Sequence, residues 1–272
     1  MPCIKTTGLR IYYERQGIGC PVLLIGGVGG DLRCKPGLLE SELVNRFDLL
    51  TFDQRGTGQT DKPDSPYTMM QYARDAAELM DAVGWNSSHV VGVSFGGMVA
   101  QELALQFPRY VHSLVLACTA PGGAGGSSYP LHELSDLAPA ERSRKMLAIA
   151  DVRRNEAWQA AHPQETEQLL QQAAAAASPF LKEPGGIMGI TRQIEARSHH
   201  DSYARLPRIQ VPVLVCGGRY DGQAAPEVVE NLHRQIPGAE IRFFEGGHQF
   251  LNEDPEASEA VAEFLQQQCQ TG

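Results

Sequence analysis

A chain of 272 residues with 42% hydrophobic content is long enough for one large α/β core. Its net charge of -9 is spread without a basic run, which argues against nucleic acid and against an anionic membrane surface as partners. No stretch approaches the roughly 18 apolar residues of a membrane span, and Met1-Pro2-Cys3-Ile4-Lys5 lacks the apolar core of a signal peptide, so a cytoplasmic location is expected. The cysteines (Cys3, Cys20, Cys34, Cys118, Cys216, Cys269) fall at unrelated spacings with no C-x-x-C and no Cys/His grouping of zinc type. Cys118 and Cys216 close apolar runs and read as small buried hydrophobes.

Ile4 to Thr6 and Leu9 to Glu14 flank Thr7-Gly8 with alternating polarity, which predicts an antiparallel hairpin at the edge of a sheet. Pro21-Val22-Leu23-Leu24-Ile25 is continuously apolar, as a strand covered on both faces must be, and it stops at Gly26-Gly27-Val28-Gly29-Gly30-Asp31. No lysine follows in the position a P-loop requires, and the spacing is not a dinucleotide fingerprint. These glycines suit instead a turn that brings a backbone N–H close to a reacting carbonyl. Phe47 to Asp53 is the next strand and leads into Gln54-Arg55-Gly56-Thr57-Gly58-Gln59-Thr60, where Asp53 and Arg55 read as an ion pair stiffening the loop. A helix opens at Tyr67-Thr68, places Tyr72, Ala76, Leu79, Met80 and Val83 on one face, and ends at Gly84.

Val90-Val91-Gly92-Val93 then runs into Ser94-Phe95-Gly96-Gly97 and a proline-free helical stretch up to Leu105. Strand, sharp turn and helix around a G-x-S-x-G pentapeptide would push the Ser94 hydroxyl out over a helix N-terminus. Val111 to Cys118 is a further strand; its end, Thr119-Ala120-Pro121, carries no carboxylate. From Gly122 to about Leu206 a glycine-rich leader precedes helical stretches at Pro139 to Val152, Pro163 to Ala177 and Ile187 to Ser198. Arg153, Arg154, Arg192 and Arg197 form no basic cluster and read as solvated faces, and His199-His200 as a solvated turn. Strand character returns at Val211 to Cys216, which ends in Gly217-Gly218-Arg219-Tyr220-Asp221. A helix from Pro226 to Ile236, a strand from Glu240 to Phe244, the loop Glu245-Gly246-Gly247-His248 and a helix from Pro255 to Gln268 complete the chain.

The elbow around Ser94 and the D-Q-R-G-T-G wording of Asp53 to Gly58 resemble the α/β-hydrolase superfamily. Within it the chain is similar to 3-oxoadipate enol-lactonases, aminoacrylate hydrolases and carboxylesterases. The resemblance implies a mostly parallel eight-stranded sheet with helices on both faces. Residues 1–121 and 207–272 would form the core, and residues 122–206 a helical cap inserted after the sixth strand. Many relatives carry His-Gly where this chain has Gly26-Gly27.

A serine hydroxyl needs a base within hydrogen-bond reach and a third group to orient that base. Among the histidines only His248 follows the last strand in a glycine-flanked loop, and Asp221 stands at a strand end. The order Ser94, Asp221, His248 is that of the α/β-hydrolases. The amides of Val28 and Phe95 are the expected oxyanion donors. Serine rather than aspartate at the elbow excludes the dehalogenase-type relatives. These residues predict a serine hydrolase of a small carboxylic ester or lactone with a small-molecule substrate, no cofactor and no metal. Cleavage of a carbon–carbon bond in a β-diketone by the same triad, and a ligand receptor with an idle triad, stay open; so do monomer and homodimer.

Overall fold

The computed structural model describes residues 3–35 and 37–271; Met1 and Pro2 of the leader reading lie outside them. Eight strands form one sheet: β1 (Cys3–Lys5), β2 (Arg10–Gln16), β3 (Pro21–Ile25), β4 (Asp48–Phe52), β5 (Ser88–Val93), β6 (Val111–Ala117), β7 (Val213–Gly218) and β8 (Glu240–Phe244). Their spatial order is β1-β2-β4-β3-β5-β6-β7-β8. β2 runs antiparallel to β1 and β4, and every other neighbouring pair is parallel. Consecutive residues of β5 from Ser88 to Gly92 are all buried. Because successive side chains point to opposite faces, both faces of the sheet are covered. That is why these strands lack the alternation seen in the edge hairpin.

Helix α1 (Met69–Ala82) starts where Thr68 accepts the Gln71 N–H at 3.2 Å and Gln71 accepts the Thr68 N–H at 2.8 Å, a reciprocal cap. It buries Tyr72, Ala76, Leu79 and Met80, the predicted face. Helix α2 (Phe95–Gln106) packs on α1 and on β5 and β6. Between β6 and β7 the chain is helical: α3 (Pro139–Ala150), α4 (Glu156–Ala161), α5 (Pro163–Ala175) and α6 (Gly186–Ser198), joined by short 3-10 turns. Helix α4 escapes the sequence pattern because it spans less than two turns; the Asn155 side chain starts it by accepting the Trp158 N–H at 3.0 Å. Helices α7 (Pro226–Gln235), α8 (Phe250–Glu253) and α9 (Pro255–Thr271) follow, and α9 buries Ala257, Val261, Phe264 and Leu265 as its pattern predicts. Among the described residues no helix is long and apolar enough to cross a membrane.

The structure corrects one expectation here. Asp53 and Arg55 do not pair with each other. Asp53 accepts the Leu32 and Gln59 N–H groups, each at 2.7 Å, so both its oxygens bind backbone. Arg55 turns the other way and makes a two-pronged ion pair with Asp75 on α1 at 2.7 and 2.8 Å, both side chains largely buried. Buried and paired with no cation among the described residues, Asp53 has its carboxyl pushed up to about 6 by desolvation. The cysteines hold a feature the sequence reading left unaddressed: Cys20 and Cys269, 249 residues apart, form a disulfide that ties the start of β3 to α9. Cys118 and Cys216 are buried and free, as expected.

Candidate active site

The parallel strands deliver their loops to one edge of the sheet, and the candidate residues sit at the ends of β3, β5, β7 and β8. Ser94 lies between β5 and α2 at φ 55°, ψ -117°, a left-handed conformation for a residue with a Cβ. Such a backbone costs on the order of 1–3 kcal/mol and persists only where its surroundings fix it. Here glycine makes it possible. A Cβ on Gly92 would meet the Gly96 carbonyl and Gly97 Cα, and one on Gly96 would run into the Ile25 carbonyl of β3. The Ser94 N–H donates to the Ala117 carbonyl of β6 at 2.8 Å, which anchors the turn.

His248 stands with Nε2 2.9 Å from Ser94 Oγ and Nδ1 2.8 Å from Asp221 Oδ2. Asp221 is fully buried, and its other oxygen accepts the Gln223 and Ala224 N–H groups at 2.7 and 2.9 Å. With the carboxylate held this way, Nδ1 carries the proton and donates a hydrogen bond through it to Asp221, which leaves the Nε2 lone pair facing the Ser94 hydroxyl. The three triad candidates are thus brought together from three separate loops.

The glycine loop after β3 also lies beside the serine: a Cβ on Gly27 would come within 3.6 Å of Ser94 Cβ. The loop is tied on both sides, since Gly29 N–H donates to Gln193 Oε1 of α6 at 2.7 Å and Gln54 Nε2 donates to the Gly26 carbonyl at 2.8 Å. Among the described residues no protein acceptor meets the Val28 or the Phe95 N–H. Phe95 N–H is the first of α2, where an α-helix leaves its amides without intrahelical acceptors. Both expected oxyanion donors are therefore free to bind a ligand.

Sequence reasoning missed how far the helical segment enters the site. At the C-terminal end of α3 the Ile149 carbonyl accepts Gly222 N–H at 3.0 Å and the Ala150 carbonyl accepts His248 N–H at 2.7 Å. The loop at Tyr129 donates to the Gln223 carbonyl at 2.7 Å. Helix α6 lies where the sequence predicts it, but its inward face was not legible, for a physical reason. Its buried stripe is Gly186, Gly189, Gln193, Ala196 and Arg197, while Ile187 is 64% exposed, so the face that packs inward is small and polar instead of apolar. Arg197, expected on a solvated face, is buried. His200, expected in a solvated turn, is also buried, and desolvation pulls its imidazole down to about 4; His199 is exposed.

Two further cysteine and histidine features bear on chemistry. Cys118, at the end of β6, has φ 42° and a thiol pushed well above its usual range by burial, with Asp221 adding to the effect, so it is not a competing nucleophile. Cys20, Cys269 and His89 place three potential ligand atoms within 4.8 Å of one another at the opposite ends of the strands from Ser94. The disulfide engages both sulfurs there.

The pattern of the alpha/beta hydrolase fold family matches residues 21–255. A protein of Azorhizobium caulinodans, named provisionally as the carbamate hydrolase RutD, is 28% identical over 266 residues, covering 94% of both chains. The poly(3-hydroxyalkanoate) depolymerase of Ectopseudomonas oleovorans is 28% identical over 253 residues, covering 92% of this chain and 86% of its own. Among solved structures, the meta-cleavage product hydrolase CumD of Pseudomonas fluorescens IP01 superposes with a TM-score of 0.80 at 23% identity, over 98% of both chains, a likeness of fold.

Proposed function

We propose that this chain, which belongs to the alpha/beta hydrolase fold family, is a serine hydrolase that cleaves a small carboxylic ester or lactone through an acyl-enzyme on Ser94. One observation carries the reading: the unbroken line of hydrogen bonds from Ser94 Oγ through His248 to Asp221. The names of the two sequence relatives, for carbamate hydrolysis and for poly(3-hydroxyalkanoate) depolymerisation, describe cleavage at an acyl carbon, the same reaction type.

In this mechanism His248 Nε2 takes the Ser94 proton as Oγ attacks the carbonyl carbon. The Val28 and Phe95 amides receive the negative charge that develops on the carbonyl oxygen; losing one such donor costs roughly 3 kcal/mol of transition-state stabilisation. His248 then gives the proton to the departing alkoxide; in the second half it draws a proton from the water that attacks the acyl carbon, and it returns that proton to Ser94 Oγ as the acyl–oxygen bond breaks and the acid leaves. Asp221, held by two backbone N–H groups, keeps the imidazole in the right tautomer and stabilises its cation. Residues 122–206 act as a cap over the strand ends and set which acyl group fits.

Turnover of short p-nitrophenyl esters and of a simple lactone tests the reading. Ser94→Ala lowers kcat by about 10⁴ to 10⁶, the range for removing a triad nucleophile. Full esterase turnover in that variant contradicts the proposal, and activity on β-diketones alone reassigns the same triad to carbon–carbon cleavage.

A further inference from the structure

Far from Ser94, three residues of metal-binding chemistry converge from separate elements. Cys20 stands just before β3, His89 near the start of β5, and Cys269 in the last turn of α9. Their ligand atoms all lie within 4.8 Å of one another. His89 precedes Ser94 by five residues along β5, about 17 Å at the rise of a strand, so the cluster has no part in the triad. The imidazole is held at both nitrogens: Nε2 meets Cys269 Sγ at 3.4 Å, and Nδ1 meets Ser113 Oγ of β6 at 2.8 Å. His89 and Ser113 are buried, whereas the two cysteines are half-buried and open to small reagents.

A disulfide alone has little use for this histidine. Its sulfurs carry no proton to give and accept hydrogen bonds weakly, so a buried Nε2 gains little from Cys269 while the sulfurs are joined. The match is to the reduced pair. Two thiolates and a neutral imidazole are a donor set that suits tetrahedral zinc. With zinc–sulfur bonds near 2.3 Å and zinc–nitrogen bonds near 2.0 Å, tetrahedral angles hold sulfur and nitrogen about 3.5 Å apart, close to the 3.4 Å between Cys269 Sγ and His89 Nε2. Ser113 completes the arrangement: its Oγ can accept the Nδ1 proton, and the Nε2 lone pair then faces the sulfurs, the role that outer partners of zinc-bound histidines play.

We infer that Cys20, Cys269 and His89 form a zinc site that becomes available when the Cys20–Cys269 disulfide is reduced, with water as the fourth ligand. Two molecules of a small thiol such as glutathione each supply one electron and one proton, which break the Sγ–Sγ bond, and they leave joined as their own disulfide. Zinc then displaces one proton from each cysteine and takes the Nε2 lone pair of His89. Either state, disulfide or metal, ties the start of β3 to α9. The link between the two ends of the chain therefore survives a change of redox conditions.

Cobalt titration of the reduced full-length chain tests the site without any turnover, so its outcome does not depend on the hydrolase reading. A Cys3→Ser/Cys34→Ser background removes the two other thiols that are not buried. One cobalt per chain binds, with the sulfur-to-metal charge-transfer absorption and strong visible bands of a tetrahedral thiolate site, and zinc displaces it. The oxidised chain shows neither. Cys269→Ser weakens cobalt at least a hundredfold and His89→Gln at least tenfold, each compared with the reduced parent so that loss of the disulfide is common to all. Ser113→Ala, which keeps all three ligands, weakens it about tenfold. Zinc raises the melting temperature of the reduced parent and leaves that of Cys269→Ser unchanged; Cys20→Ser gives the same readout if the His89→Gln chain does not fold. A reduced parent that binds no cobalt, equal binding by the oxidised chain, or an affinity unaltered in Cys269→Ser or His89→Gln overturns the site.

Discussion

Ser94 and His248 meet at 2.9 Å, yet different parts of the molecule hold them. Ser94 is fixed from within the sheet, by glycines packed against β3 and a hydrogen bond from its N–H to β6. The loops of Asp221 and His248 are fixed from outside it, by carbonyls of Ile149 and Ala150 at the end of α3. The nucleophile thus depends on the core, which tolerates little change. The base and its orienting acid depend on the helical segment, so changes in that segment reach the chemistry as well as the choice of substrate.

The largest expected effect removes the orienting acid and leaves its shape. Asp221→Asn keeps the loop but favours the wrong imidazole tautomer, and kcat falls about 10⁴-fold with the fold unchanged by circular dichroism. A loss of less than tenfold would mean that the Asp221–His248 contact does not govern the base. The comparison itself is tested more sharply by Gly247→Ala. A Cβ there would run into the Ala150 carbonyl and lie 2.9 Å from Asp151 Cβ, so the His248 loop must part from α3. A misplacement of about 1 Å costs on the order of 10² in kcat, with the melting temperature little changed. A variant within twofold of wild type would show that α3 does not position the base.

The smallest effect is a pH dependence of stability that originates in the helical segment. His200 stays neutral in the folded chain down to about 4, whereas unfolded histidine takes a proton below about 6.5. The unfolded state therefore binds more protons between these values, and stability falls as pH drops through 6.5 to 4, by up to roughly 3 kcal/mol, then levels off. Buried His89, with its imidazole also pulled down to about 4 by desolvation, acts in the same direction. Asp53 opposes them: its folded value near 6 exceeds the ordinary 3.8, so it takes up a proton on folding as pH falls. Melting temperatures measured from pH 7 to pH 4 decline in wild type and decline less in His200→Asn. Parallel curves would mean that His200 is not buried neutral.

What could be read in the sequence follows the same division. The strands, the elbow and the three triad candidates are set by local signals: continuous apolar runs, glycines at fixed offsets from Ser94, and polar residues just past strand ends. The partner of Arg55 was not legible, because Asp53 lies nearer in sequence and only the fold reveals that two backbone amides already occupy it. The Cys20–Cys269 disulfide spans nearly the whole chain, and no spacing rule reaches that far. Helix α6 hid its role because its inward stripe of Gly186, Gly189, Gln193, Ala196 and Arg197 carries no hydrophobic periodicity. Gln193, which ties the oxyanion loop, and the buried Arg197 both belong to that stripe.

The central claim is that Ser94 is activated by the relay it joins. Labelling with a fluorophosphonate, scored by intact mass on wild type and Ser94→Ala side by side, tests it most directly. The account predicts one adduct on wild type, located at Ser94, and none on the variant. A well-folded wild type that takes no adduct, or an adduct that persists in Ser94→Ala, would contradict it.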